Sequence, residues 1–225
     1  MNILRGAWVI LAKDMLIEWR TRARLNALLF FSLATLFLFS FAGSSDTSLL
    51  RQNAAGYLWL AVLFASVLSM GESFRIESEN SALDGLRLAP ADPRSIYLGK
   101  AWGNAILLWT LAVVLVPFMI VLYDVSLTMG LPRLLGTLAL GALAISAPGT
   151  IHASIASNAR ARDVLLPVLL FPLLVPALLS AVRATALVIE GDPMDQLTSW
   201  VRLLIVFNVI YWGLGFALFP RVIED

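Results

Sequence analysis

The chain has 225 residues, of which 60% are hydrophobic and only 14% charged, with a formal net charge of +1. A soluble domain carries about 25% charged residues, so the composition specifies an all-α polytopic membrane protein and gives no basis for a nucleic-acid partner. There is no cysteine, which removes disulfides and thiolate metal sites from consideration.

Residues 1–24 place Leu4, Trp8, Leu11, Met15 and Trp19 at helical spacing on one face, with Lys13 and Arg20 nearly opposite. Such a helix lies in the headgroup plane of a bilayer. The segment lacks an uninterrupted apolar core and a small-residue cleavage site, so no cleavable signal is expected. Two roles remain open for it: a plain membrane anchor, or an elbow helix that also contacts a cytoplasmic partner.

Apolar runs of about 20 residues, the length needed to cross the hydrocarbon core, then recur six times. The expected spans are Asn26–Ala42, Ala54–Phe74, Ala101–Tyr123, Leu131–Ser157, Val164–Ile189 and Leu197–Pro220, in one transmembrane domain over 1–225. Loops must alternate sides, and basic residues decide which side is inside. One side holds Arg5, Lys13, Arg20, Arg22, Arg24, Arg75, Arg87, Arg94, Lys100, Arg160, Arg162 and Arg221; the other holds Arg51, Arg133, Arg183 and Arg202. The bias puts both termini and the 75–100 loop in the cytoplasm.

That loop, RIESENSALDGLRLAPADPRSIYLGK, is the one sizeable polar stretch between spans. Its residues 80–88 can form a short helix, with Leu83 and Leu86 on one face and Leu88 at its end. Ala89-Pro90 stops the helix, because the residue before proline is pushed out of the helical region. Glu77 and Glu79 sit at its start, where the helix dipole favours negative charge. A short helix with an apolar edge and a charged surround suits a groove on a soluble partner; an ordinary solvated connector is the plainer alternative.

The chain does not encode its own motor. A phosphate-binding loop needs Gly-x-x-x-x-Gly-Lys-Ser/Thr, whereas the Gly99-Lys100 pair is followed by Ala101 and preceded by Arg94 at the first glycine position. A hydrolytic triad is equally out of reach with His152 as the single histidine. The chain is therefore not expected to be an enzyme, and any ATP must be bound by another chain.

Within the spans, polar residues are the sites to weigh. Arg183 shares a helical face with Glu190 near the outer side; it either snorkels to the interface or offers a cation to an acidic cargo group. His152 lies toward the cytoplasmic end of the fourth span, where a single neutral histidine among small residues is read as packing rather than as a ligand. Pro167, Pro172 and Pro176 should kink or partly break the fifth span. Gly136, Gly141, Ala142, Ser146 and Gly149 suit close packing of the fourth. Asn104, Asn208 and Tyr211 can hydrogen-bond between spans, and Trp102, Trp109, Trp200 and Trp212 are expected mostly near span ends.

The loop SFRIESENSALDGLRLAPADPRSIYLGK, together with LAKDMLIEWRTR near the N-terminus and SNARARDVLLPVLLFPLLVPALLSAVRAT later, resembles the CcmB family, the six-span permease subunit of the haem-handling ABC complex of cytochrome c maturation. The family pattern falls on Glu77, Glu79, Asn80, Leu83, Asp84, Gly85, Leu86, Leu88, Pro90, Tyr97 and Lys100. Ser81 stands where glycine is common, and Ala159 where a polar residue is common. The resemblance implies an ABC-2 exporter-like fold in a bacterial inner membrane. It implies residues 1–25 as elbow helix and 75–100 as coupling loop, with Glu77, Glu79, Leu83, Asp84, Leu86 and Leu88 receiving motion from the ATPase. Implied partners are a CcmA-like cytoplasmic ATPase that binds the ATP, CcmC-like and CcmD-like membrane subunits, and lipids. Haem is a candidate cargo, touched by Arg183 or His152; no intrinsic cofactor or metal is implied.

Two functions follow. Either the chain moves a substrate outward, or it couples ATP hydrolysis to release of a haem-loaded chaperone without passing haem itself. The residues favour the second, because no polar cavity lining stands out. A generic ABC-2 permease for another lipophilic substrate is the alternative.

Overall fold

Seven α-helices and no strand make up the described residues. They are α1 (Ile3–Thr21), α2 (Ala23–Ala42), α3 (Thr47–Glu79), α4 (Pro93–Tyr123), α5 (Leu131–Ser157), α6 (Arg162–Glu190) and α7 (Leu197–Glu224). The computed structural model describes residues 2–42, 47–79, 92–157 and 162–224, and their side chains except at 73–79, 157, 162–164 and 223–224. Helices α2 to α7 are each long and apolar enough to cross a membrane, in the six places expected.

Helix α3 ends at Glu79 rather than 74, which draws Glu77 and Glu79 out of the expected loop helix, and α7 ends at Glu224 rather than 220; two starts differ more. Helix α3 begins at Thr47 rather than 54, and α4 at Pro93 rather than 101. The second has a clear local cause. The Asp92 carboxylate accepts the Arg94 N–H at 2.9 Å, and Pro93 holds the first helical position, where its missing N–H leaves nothing unsatisfied. Residues 93–100, placed in the loop by the sequence, are thus the opening turns of a spanning helix.

Only Arg22 separates α1 from α2. It adopts a left-handed backbone (φ 51°), and its N–H closes α1 onto the Glu18 carbonyl at 2.8 Å, a helix-ending geometry that glycine usually supplies. At the far end, Asp124 ends α4 in the same way and pairs with Arg51 at 2.6 Å. The Asp192 carboxylate accepts the N–H groups of Gln196 and Leu197 (2.8 and 2.7 Å) and so caps α7.

Helix α5 is the axis of the bundle, packing on α3, α4, α6 and α7. The apolar window of α5 is 72% buried against 17% for α2 and 22% for α7; those two are outer helices whose Phe30, Phe41, Val206 and Val209 stand exposed, as lipid-facing residues do. Small residues let the inner helices close. The Trp59 indole fills the space beside Gly141, Met70 that beside Gly149, and the Tyr97 ring that beside Gly215. Gly136, also expected to pack, faces open space. Polar hydrogens find carbonyls across helices: Ser146 Oγ donates to Ala101 O (2.5 Å), Asn208 Nδ2 to Leu140 O (3.0 Å) and Trp212 Nε1 to Leu143 O (3.3 Å).

Helix α6 runs unbroken from Arg162 to Glu190 through its three internal prolines, so of the kink or partial break expected there, the break does not occur; α3, α5 and α7 lie on its flanks, and neighbouring helices commonly make such prolines tolerable in a membrane. The expected placement of tryptophans near span ends is corrected for two of them: Trp109 is mid-helix in α4 and Trp212 in α7, and their Nε1 atoms donate to the Leu135 and Leu143 carbonyls of α5 at 3.2 and 3.3 Å, so neighbouring-helix carbonyls satisfy their polar edges.

Candidate functional site

The helix proposed for ATPase contact falls largely outside the described residues: Leu83, Asp84, Leu86 and Leu88 lie between the end of α3 and the start of α4. Glu77 and Glu79 are in the last turn of α3, with their side chains outside the description. What the structure gives is the frame on either side of that segment, and there it gathers charge.

Two helices face each other with polar side chains at the same spacing. On α1, Asp14 and Glu18 are four residues apart and share a face; on α4, Lys100 and Asn104 do the same. Lys100 Nζ lies 3.6 Å from Asp14 Oδ2, and its side chain is only 1% exposed. The other Asp14 oxygen pairs with Lys13 at 3.1 Å. Arg24, on the first turn of α2, is the hub. Its Nη2 donates to Asn104 Oδ1 at 2.9 Å and to Ser69 Oγ on α3, while Nη1 stands 4.0 Å from Glu18 Oε2. Glu18 Oε1 also accepts the Leu25 N–H at 2.9 Å, and Asn104 Nδ2 passes the chain on to Thr150 Oγ1 of α5 at 3.2 Å.

Backbone proximity makes this possible. A Cβ on Gly99 would lie 2.8 Å from both the Ala7 carbonyl oxygen and Ile10 Cβ, so the α4 backbone at Gly99 packs directly on the Ala7–Ile10 turn of α1. Leu11 and Met15 lie over Gly103. The apolar face expected on α1 is therefore divided. Leu4, Trp8 and Trp19 remain exposed at 78, 69 and 73%, as a membrane-facing stripe would, whereas Leu11 and Met15 turn toward α4. The bundle-facing side is Gly6, Ala7 and Ile10, continued by Asp14 and Glu18.

Basic-residue counting groups Arg24 and Lys100 with the loop cations and takes no account of Asp14 and Glu18. The readable signal was an acidic pair four residues apart on an otherwise cationic amphipathic helix, in line with Ala7 and Ile10. What the arrangement does chemically is fix geometry: linked polar groups in a low-dielectric setting hold helices in one relation, even though the buried Arg24 Nε itself has no hydrogen-bond partner among the described residues.

The two candidate cargo residues are not brought together. Arg183 is exposed near the Glu190 end of α6, and no ion pair joins it to Glu190 among the described residues. His152 is half-buried near the opposite end of α5, its Nδ1 lying 2.8 Å from the Pro148 carbonyl oxygen of its own helix.

Comparison with known proteins is direct. The family model "CcmB protein" matches residues 5–219. "Heme exporter protein B" of Pseudomonas aeruginosa is 27% identical over 199 residues, covering 86% of each chain. The protein of the same name from Rhodobacter capsulatus is 30% identical over 173 residues, 76% of this chain and 78% of its own. That from Paracoccus denitrificans is 27% identical over 192 residues, 84% and 86% respectively. A six-span helical chain matched from its first helix to its last, with the charged frame of α1, α3 and α4 inside the matched region, belongs to the CcmB family.

Proposed function

We propose that the chain is the membrane permease subunit of an ABC complex that handles haem in c-type cytochrome maturation. The observation that carries this is the match over residues 5–219, supported by relatives named heme exporter protein B that align over most of their length. The chain is a non-enzymatic inner-membrane subunit. A CcmA-like ATPase supplies the ATP chemistry from the cytoplasm, and CcmC-like and CcmD-like membrane subunits complete the assembly. The basic-residue bias supports cytoplasmic termini, and it keeps its direction without Arg24 and Lys100, which are drawn into the bundle.

In this reading force enters from the last turn of α3 through the segment that precedes α4, with Glu77, Glu79, Leu83, Asp84, Leu86 and Leu88 as the contact. Substituting Leu86→Asp or Glu79→Lys should abolish co-purification of the ATPase. A complex that survives both substitutions would refute the docking site.

Release of a haem-loaded chaperone is favoured over passage of haem through the middle of one chain. Trp59, Met70 and Tyr97 fill the interhelical space around α5, so the centre of the bundle is occupied by side chains. A continuous cavity bounded by this subunit in the assembled complex would reverse that preference.

A further inference from the structure

The acids of α1 all face inward and its cations all face outward. Asp14 and Glu18 have side chains 21% and 14% exposed, whereas Arg5, Lys13 and Arg20 are exposed. A helix held to the membrane by lipid alone has no need to bury a lysine of another helix against its own aspartate. Lys100 is that lysine, on a spanning helix and almost wholly enclosed. Separation would take an opposite charge away from a lysine enclosed in low dielectric, which is unfavourable, so the Asp14–Lys100 pair favours contact of α1 with α4. Gly99 removes the steric obstacle at the same place. By contrast α1 touches its sequence neighbour α2 only slightly.

We infer that Asp14 and Lys100 are positioning residues that make α1 and the Pro93 end of α4 move as one body, with Arg24 extending that body to α3 through Ser69. In consequence α1 is a lever built onto the helix that leaves the 80–91 segment, rather than a float that follows the membrane surface. Any displacement delivered to the start of α4 carries α1 with it. The functional use of this lever rests on the proposed ATPase coupling; the rigid body itself does not.

The absence of native cysteine makes the test direct. Nitroxide labels are placed by Leu16→Cys on α1 and Val114→Cys on α4, both at exposed positions, in the purified, otherwise intact complex, and pulsed electron paramagnetic resonance reads the distance. Without nucleotide the distribution should be narrow. It should broaden by about twofold in Asp14→Asn or Lys100→Met, because the buried pair is lost, and narrow again in the charge-exchanged Asp14→Lys with Lys100→Asp. Unchanged width in both single variants would overturn the inference, as would failure of the exchange to restore it. A second label pair, Leu16→Cys with Val175→Cys on α6, is followed on trapping with ATP and vanadate. The α1–α4 distance should stay fixed while α1–α6 shifts; a shifted α1–α4 distance would also overturn the inference. If neither distance responds to ATP, the coupling reading falls, and the nucleotide-free series still decides whether α1 and α4 form one body.

Discussion

The Trp59 indole occupies the volume that a side chain on Gly141 would need, and its Nε1 is fixed by a 2.9 Å hydrogen bond to Thr185 Oγ1. Helices α3, α5 and α6 are thereby interlocked at one point. The indole is 1% exposed, and its anchored nitrogen leaves it no free direction in which to yield.

Gly141→Ala should therefore destabilise the protein, although alanine is the better helix former by about 1 kcal/mol. Overpacking of an anchored ring costs about 1–3 kcal/mol and wins. Gly136→Ala is the control. A Cβ there meets nothing within 4 Å, so only the backbone gain remains and the melting temperature should rise. Thermal unfolding of the two variants in detergent should give shifts of opposite sign.

Thr185→Val keeps the shape and removes the acceptor. The Trp59 N–H is then buried without a partner, which costs about 1–3 kcal/mol. Thr185→Ser retains the acceptor oxygen and should recover most of that loss in the same melting experiment; equal losses in the two variants would assign the effect to packing.

How far the sequence foretold this structure depends on the kind of signal. Spans α2 to α7 were legible because long apolar runs need no knowledge of neighbours. The start of α4 was legible too, since Asp92-Pro93 is an N-cap followed by proline; the polar character of Arg94 to Lys100 drew those residues into the loop instead. The Asp14–Lys100 and Arg24–Asn104 contacts were not legible. Each joins residues on different helices, and charge counting treats a lysine in a headgroup loop and one enclosed by α1 alike. The continuity of α6 through three prolines was not legible either, because the helices that flank it are not named by its own sequence.

Arg22 is held in the left-handed region at φ 51°, a conformation that is unfavourable by about 1–2 kcal/mol for a residue with a Cβ. Its guanidinium recovers part of this by lying 5.2 Å from the Trp19 ring centroid. Arg22→Gly should be neutral or stabilising by about 1 kcal/mol, whereas Arg22→Val, which keeps the strain and loses the ring contact, should lower the melting temperature.

His152→Ala should leave the haem absorption spectrum of the purified complex unchanged. The Pro148 carbonyl engages only Nδ1, so the expectation rests on placement: Arg183, the other candidate for cargo, stands near the far end of the adjoining helix, and the two do not converge on one group. A shift of the Soret band in the variant would return His152 to the list of iron ligands.

Arg24→Met tests the hub itself. Methionine keeps much of the length and apolar stem of arginine but none of its five donors. Ser69, Asn104 and Glu18 then lose their shared partner at once. Removing one member of a buried charge pair costs about 3–5 kcal/mol; with side chains 19% and 14% exposed, Arg24 and Glu18 should fall toward the lower end. Arg24→Lys keeps the charge yet cannot donate as a planar fork, so it should sit between wild type and Arg24→Met. Adding Asn104→Leu to Arg24→Met should cost less than the sum of the two single changes, because the Asn104 oxygen that needed Arg24 is gone. Additive losses in that double-mutant cycle would mean the two residues act independently, and the polar frame would then be a set of separate contacts rather than one network.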